Sequence, residues 1–286
     1  MCDIINNGIN INKNNLLFNK EHFVYIKNFI NDDIRLKLLN NINKKEDLYK
    51  IKNKNSFLSI LGQLDSTQNT SKENILKQHS VIAGTEIQQN FPDFHYYYHN
   101  CFADTVSKIV GKKVYPVNEI NTMNNSLIIY ENEDDSLRWH TDKSMFNNKK
   151  VYTLLVYLYN SSSQNLCYID YDKNKKCLYT DENSCVILEH FTLEHAVTPL
   201  KQNEKKIVWS MTYAEDININ NPISYIMNKS KNISYLGFGA FNSLDIFFII
   251  LLLIILIFII FYFKKYIYQK IKFILFNNTK KNGRFK

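Results

Sequence analysis

From residue 125 to 213 the chain is a succession of short apolar runs broken by polar turns. They read "NSLIIYE", "SLRWHTD", "VYTLLVYLY", "NLCYIDY", "KCLYT", "SCVILE", "EHAV" and "KKIVWSMTY". The runs are rich in β-branched and aromatic residues, and none keeps a helical period. Eight such strands predict a mainly β core, a sandwich or jelly roll. Ahead of it, residues 21–30 read as a strand. Residues 31–42 read as a helix, with Asn31 as N-cap, acids in the first turn, and Ile34, Leu38 and Ile42 at helical spacing. A second helix is expected in "CFADTVSKIVGKK", with Phe102, Val106, Ile109 and Val110 on one side and Gly111 as the stop. Residues 1–20 read as a polar arm and residues 43–80 as polar chain containing a loose loop.

One run breaks the pattern of short elements. "IFFIILLLIILIFIIFYF", residues 246–263, is apolar throughout and carries no charge. At 1.5 Å per residue it has about the length a hydrocarbon core requires, and Lys264 and Lys265 follow at once. The expected organisation is therefore a polar arm (1–20), an α/β support region (21–124), a β core (125–215), a linker (216–245), a transmembrane helix (246–263) and a basic tail (264–286).

Charge changes the picture only at the tail. The formal net charge is +8, but eight of the 35 Lys and Arg lie in residues 264–286, where there is no acid. The remaining 27 match the 27 acids, so the body is formally neutral, which argues against a nucleic-acid-binding body. Asn is abundant, with 39 residues, so sequons such as those at Asn69 and Asn160 carry little weight. The N-terminus is polar and has no apolar signal region. Five cysteines, an odd number without a C-x-x-C, read as reduced thiols rather than as a disulfide or zinc framework.

The chemistry concentrates in "SLRWHTDKSMF". Side chains two apart on a strand share a face, so His140 and Asp142 project together. An imidazole and a carboxylate fill two positions on a metal, and His195 in "FTLEHAVTP" is the best third. Two His and one carboxylate on one side of a metal leave the other positions open, the arrangement of non-haem Fe(II) oxygenases. H-x-D alone occurs by chance in many chains. His190 competes as the distal ligand, and His79, His95 and His99 lie outside the strand region.

These residues, in this order, resemble the 2-oxoglutarate- and Fe(II)-dependent dioxygenases, in particular the prolyl 4-hydroxylase-like branch. His140-Thr141-Asp142 matches the H-x-D, "HAVTP" with His195 is similar to the distal-histidine segment, and Lys205 stands ten residues beyond it, where the family carries a base for the far carboxylate of 2-oxoglutarate. Lys206 is its neighbour and would face the other side of a strand; spacing favours Lys205. Tyr130 and Tyr157 match positions that line the co-substrate pocket. The acidic "ENEDDS" departs from the family's Gly-rich turn. The resemblance spans residues 21–215.

It implies an α+β, mainly β double-stranded β-helix with flanking N-terminal helices, followed by the membrane helix. It implies the ligand set His140, Asp142 and His195 for Fe(II), with co-substrate contacts from Lys205, Tyr130 and Tyr157. The cofactors implied are Fe(II), 2-oxoglutarate and O2, with room for ascorbate. The substrate implied is a protein or peptide side chain. Two other readings are a jelly-roll membrane or structural protein with altered catalysis and, weaker still, an AlkB-like nucleic-acid demethylase. The expected location is a host or virion membrane, single-pass, with a C-terminal anchor through residues 246–263. The missing signal region and the unpaired cysteines lean toward a cytosolic domain.

Overall fold

Alternation of side chains along the strands decides which face of each sheet looks at the helices and which looks inward. The fold is a computed structural model that describes residues 2–46, 48, 77–78, 80–82, 84–117, 124–142, 150–190, 192–217, 257–259 and 261–264. The chain divides into two units, Met1–Gly237 and Phe238–Lys286. In the first, helices α1 (Ile11–Glu21), α2 (Asp32–Asn43), α3 (Gly84–Asn90), α4 (Pro92–Asn100) and α5 (Phe102–Val110) accompany, among the described residues, twelve strands. The strands are β1 (Phe23–Ile26), β2 (Lys77–Gln78), β3 (Ser80–Ile82), β4 (Tyr115–Pro116), β5 (Asn125–Tyr130) and β6 (Ser136–Thr141). They continue as β7 (Val151–Asn160), β8 (Asn165–Ile169), β9 (Lys175–Tyr179), β10 (Ser184–Glu189), β11 (Glu194–Val197) and β12 (Lys206–Ala214).

The pairing is antiparallel throughout. One sheet runs β1-β10-β7-β12-β5-β3, with β4 added on β12; the other runs β2-β6-β11-β8-β9. All eight strands expected from the sequence form. The larger sheet reaches beyond residues 125–215, because β1, β3 and β4 come from the support region.

On the larger sheet, Leu154, Val156 and Leu158 of β7 and Ile207, Trp209, Met211 and Tyr213 of β12 join the helices in one core. Their alternates, among them Leu155, Tyr157 and Val208, form a second cluster with Leu166 and Val197 of the smaller sheet. Trp209 anchors the first core. Its indole N–H donates to Asn125 Oδ1 at 2.8 Å, and Phe94 and Phe102 pack edge-on against its ring.

The helix ends follow the sequence. Asn31 caps α2, its Oδ1 accepting from the Asp33 and Ile34 amides. Gly111 ends α5 at φ 72°, where Asn15 Nδ2, 3.2 Å from the place of a Cβ, donates to the Ile109 carbonyl. Arg35 of α2, itself buried, donates from Nη1 to the Leu158 carbonyl at 2.9 Å, at the bulge where β7 carries one residue more than β12 between Tyr157 and Tyr159.

Two expectations need correction, and one region gains elements that the sequence reading had not assigned. Residues 1–20 are not a loose arm: Ile4 is buried, Ile5 bridges Ile30, and α1 is capped by Asn10. That helix escaped the periodicity because Leu16 and Leu17 face solvent while Asn14 is buried. The stretch before α5 holds two further helices, α3 and α4. Four of the five cysteines are paired, Cys2 with Cys101 and Cys167 with Cys177, leaving Cys185 free and buried. Spacing could not show this: Cys2 meets Cys101 across 99 residues, and Cys167 faces Cys177 directly on β8 and β9. The argument for a cytosolic domain from reduced thiols loses its premise.

In the second unit, residues 257–259 and 261–264 are helical and exposed. The rest of the expected span 246–263, and nearly all of the linker and tail, lies outside the described residues. Among the described residues no helix is long and apolar enough to cross a membrane.

Trp209→Ala is expected to destabilise the fold by about 3–5 kcal/mol, since it opens the core and leaves the Asn125 amide without its donor. Equilibrium denaturation of the variant against wild type measures it.

Candidate metal centre

His140 is placed by a register irregularity. On β11, His195 lies opposite His140 and Val197 opposite Leu137, so Ala196 faces both Arg138 and Trp139. The extra residue on β6 is a bulge. Without it, Leu137 and His140 would fall on opposite faces of the sheet. With it, Leu137 lies opposite the inward-packed Val197 and His140 still meets His195, ring centroids 4.3 Å apart.

Asp142 follows directly after β6. One ligand atom each of His140, Asp142 and His195 lie within 4.8 Å of one another. Asp142 Oδ1 is 3.4 Å from His140 Nε2, and Oδ2 is 4.0 Å from His195 Nε2. Both imidazoles present the same nitrogen for the same reason. His140 Nδ1 lies 2.7 Å from the Arg138 carbonyl and His195 Nδ1 lies 3.2 Å from that of Leu193. A carbonyl only accepts, so each Nδ1 carries a proton and each ring turns its Nε2 toward Asp142.

Protonation suits a cation. Burial, and then the His140 ring, push His195 down to about 4, so it is neutral at pH 7. For Asp142, burial alone would raise the carboxyl. The His140 contact and the His195 and His190 rings outweigh it and hold the group well below the usual carboxylate range. Two imidazoles and one carboxylate fit a divalent metal of the iron type.

The interior face of the larger sheet supplies the second half of the site. On β12, Lys206 faces inward with Val208, Ser210 and Thr212, while Ile207, Trp209 and Met211 face the helices. Lys206 is 1% exposed. Its ammonium lies 5.1 Å from the Tyr157 ring and has no hydrogen-bond partner among the described residues. Tyr130 is its direct cross-strand neighbour. Burial raises both phenols, followed by Asp135 for Tyr130 and by Tyr130 for Tyr157, so both stay protonated. A buried cation without an anion is costly, and this one lies beside two phenolic tyrosines.

The three sequence-predicted ligands thus come together, as do Tyr130 and Tyr157, but Lys205 does not join them. Its side chain is 30% exposed and reaches Glu131 at 3.8 Å. The alternation of polar Lys206, Ser210 and Thr212 with apolar Ile207, Trp209 and Met211 is the signal that identifies Lys206 from sequence. His190 also reaches the centre, its Nε2 3.8 Å from Asp142 Oδ2. His95 and His99 sit on α4 with rings 4.5 Å apart, outside the triad, and His79 lies outside the described residues.

No protein-family model matches the chain, and no curated protein matches it in sequence. Solved structures do match in fold. AviO1 from Streptomyces viridochromogenes Tue57 aligns with a TM-score of 0.53 at 13% identity, over 76% of this chain and 99% of its own. The non-heme alpha ketoglutarate dependent epimerase SnoN from nogalamycin biosynthesis aligns with a TM-score of 0.51 at 10% identity, over 71% of this chain and 80% of its own. A second SnoN structure holds Fe3+, alpha ketoglutarate and nogalamycin RO. EvdO2 from Micromonospora carbonacea var. aurantiaca, complexed with 2-oxoglutarate, aligns with a TM-score of 0.50 at 9% identity, over 77% and 97%. At these identities the likeness is one of fold. The chain has the fold of the 2-oxoglutarate-dependent dioxygenases and carries a His-Asp-His triad in it.

Burial pushes the Lys206 ammonium down to about 7. The folded chain therefore holds this proton less tightly than the unfolded chain, whose lysine titrates near 10.4. Between those values the unfolded state binds more protons, so the contribution of Lys206 to stability is least favourable at and below pH 7 and rises above it, by at most about 1.4 kcal/mol per pH unit. Denaturation of the ligand-free chain at pH 7, 8 and 9 is expected to show that rise. Lys206→Met is expected to be more stable at pH 7 and to lack it; equal slopes in both chains would contradict the assignment.

Proposed function

We propose that this chain is a membrane-anchored Fe(II)- and 2-oxoglutarate-dependent dioxygenase that hydroxylates a protein or peptide side chain. The observation that carries the reading is the pairing, within one jelly roll, of the His140-Asp142-His195 triad with the unpartnered buried ammonium of Lys206. A metal held by three protein ligands keeps positions for a chelating co-substrate and O2. Lys206 supplies a cation for the far carboxylate, a role the spacing from His195 had given to Lys205.

When bound, Fe(II) supplies oxygen activation coupled to decarboxylation of 2-oxoglutarate to succinate and CO2, with the second oxygen atom going into an unactivated C–H bond. The chain's own residues do the rest. His140 and His195 offer Nε2 because backbone carbonyls hold Nδ1. Asp142 supplies negative charge against the metal. Tyr130 and Tyr157 keep their hydroxyl protons for donation, and the apolar cluster around Leu166, Val186 and Val208 excludes water. The peptide substrate follows from the prolyl 4-hydroxylase-like pattern of these residues rather than from the fold. The anchor follows from the uncharged apolar run 246–263.

Mn(II), as a redox-silent surrogate, is expected to bind once per chain, and His140→Ala, Asp142→Ala and His195→Ala each to remove most of that affinity. Lys206→Ala is expected to leave Mn(II) binding intact and weaken 2-oxoglutarate by about 30- to several-thousand-fold, the cost of about 2–5 kcal/mol for an unpaired buried carboxylate. Lys205→Ala is expected to do little. Calorimetric titration of metal, then co-substrate, decides; loss of 2-oxoglutarate binding in Lys205→Ala alone would return the anchor to Lys205. For the anchor, the full chain is expected to resist alkaline carbonate extraction from membranes, and a chain ending near residue 240 to be released.

A further inference from the structure

The inner face of the larger sheet changes character along its length. Beside Lys206 it is aromatic and apolar, with Tyr130, Tyr157, Val208 and Leu155. Toward the far end of β12 it turns to hydroxyls. Ser210 lies opposite Ser126 on β5, and Thr212 lies opposite Thr153 on β7. Ser210 is 9% and Thr212 8% exposed, and neither side-chain hydroxyl makes a hydrogen bond among the described residues. A buried hydroxyl without a partner works against folding, and this strand keeps two of them on one face.

These hydroxyls stand on the metal side of the face. Thr153 Oγ1 lies 2.6 Å from His190 Nε2, and that nitrogen lies 3.8 Å from Asp142 Oδ2. Lys206 stands well back along the same strand, about 13 Å from Ser210 and about 20 Å from Thr212 at roughly 3.3 Å per residue. The cation for the co-substrate and the two hydroxyls thus serve opposite ends of one interior.

We infer that Ser210 and Thr212 form the wall that receives the target side chain, and that this side chain ends in a neutral hydrogen-bonding group, a carboxamide as in asparagine, rather than in a prolyl ring. This rests on the reading of the chain as an Fe(II)- and 2-oxoglutarate-dependent hydroxylase of peptides. A hydroxyl both donates and accepts. A carboxamide answers two of them with its carbonyl and its N–H, whereas a prolyl ring offers neither. Neither hydroxyl carries a charge to offset a charged end. 2-Oxoglutarate and O2 remain the co-reactants: one oxygen atom ends in succinate with loss of CO2, and the other enters a C–H bond of the target side chain.

The test is succinate release by the full chain with Fe(II), 2-oxoglutarate and O2. It is given peptide pools that share randomised flanks and differ in one central residue: asparagine, its apolar isostere leucine, or proline. The asparagine pool is expected to raise succinate release about ten-fold or more above the other two, the effect of two hydrogen bonds. Ser210→Ala combined with Thr212→Val keeps the volume and removes both hydroxyls, and is expected to bring the asparagine pool down to the leucine level. Thr212→Ser keeps a hydroxyl and is expected to retain the preference. A leucine or proline pool as effective as the asparagine pool overturns the proposal, and that comparison needs no variant to fold. A preference that survives loss of both hydroxyls overturns it as well. Weaker 2-oxoglutarate binding in Ser210→Ala, read by calorimetry with Mn(II), would assign the hydroxyls to the co-substrate and overturn it too. A wild-type chain that binds Mn(II) and 2-oxoglutarate but answers no pool defeats the peptide reading, and this proposal falls with it; a chain that binds neither defeats the metal reading itself.

Discussion

The site depends on one cross-strand pairing, His195 of β11 against His140 of β6. A strand presents alternate residues to each face, so a slip of one residue would send either ring to the outer surface. The bulge at Arg138 and Trp139 secures the pairing, because it sets Leu137 opposite Val197 and still brings His140 opposite His195 three residues later. Asp142 then follows at the end of the strand, on the same side. Each imidazole spends its Nδ1 proton on a nearby carbonyl, which turns both Nε2 atoms and a carboxylate toward one point.

The larger sheet serves two masters. Its outer residues pack under the helices around Trp209, and they supply most of the apolar burial. Its inner residues include Lys206, Ser210, Thr212 and Thr153, all buried. Burying a lysine ammonium without a partner works against folding, and burial alone lowers its affinity for the proton. Stability obtained on the helix side thus supports a destabilising arrangement on the site side. An anionic ligand reverses the sign of that contribution, because it gives the ammonium the partner the protein withholds. Fold and function are coupled through a single sheet, whose two faces differ only in the parity of the residue number.

Much of this was legible in the sequence, and the parts that were not have physical reasons. All eight strands from residue 125 onward follow from alternation and turn residues, and the α2 and α5 ends follow from Asn31 and Gly111. His140, Asp142 and His195 could be proposed because two of them share a strand and the third closes a motif. Lys205 was favoured because spacing was counted along the chain, whereas parity within β12 turns Lys206 to the buried inner face. Helix α1 was missed because its buried side carries Asn14 and its exposed side carries Leu16 and Leu17. The cysteine pairs, and the approach of His190 to Asp142, are tertiary facts: they join segments that no local pattern connects.

Diffraction from crystals of the chain grown with Mn(II) and 2-oxoglutarate, recorded at the manganese absorption edge, tests the central claim most directly. The account predicts one anomalous peak within bonding distance of His140 Nε2, His195 Nε2 and one Asp142 oxygen, with the co-substrate chelating the metal and its far carboxylate on Lys206 Nζ. A peak elsewhere, or 2-oxoglutarate bound away from Lys206 with the triad empty, would contradict it.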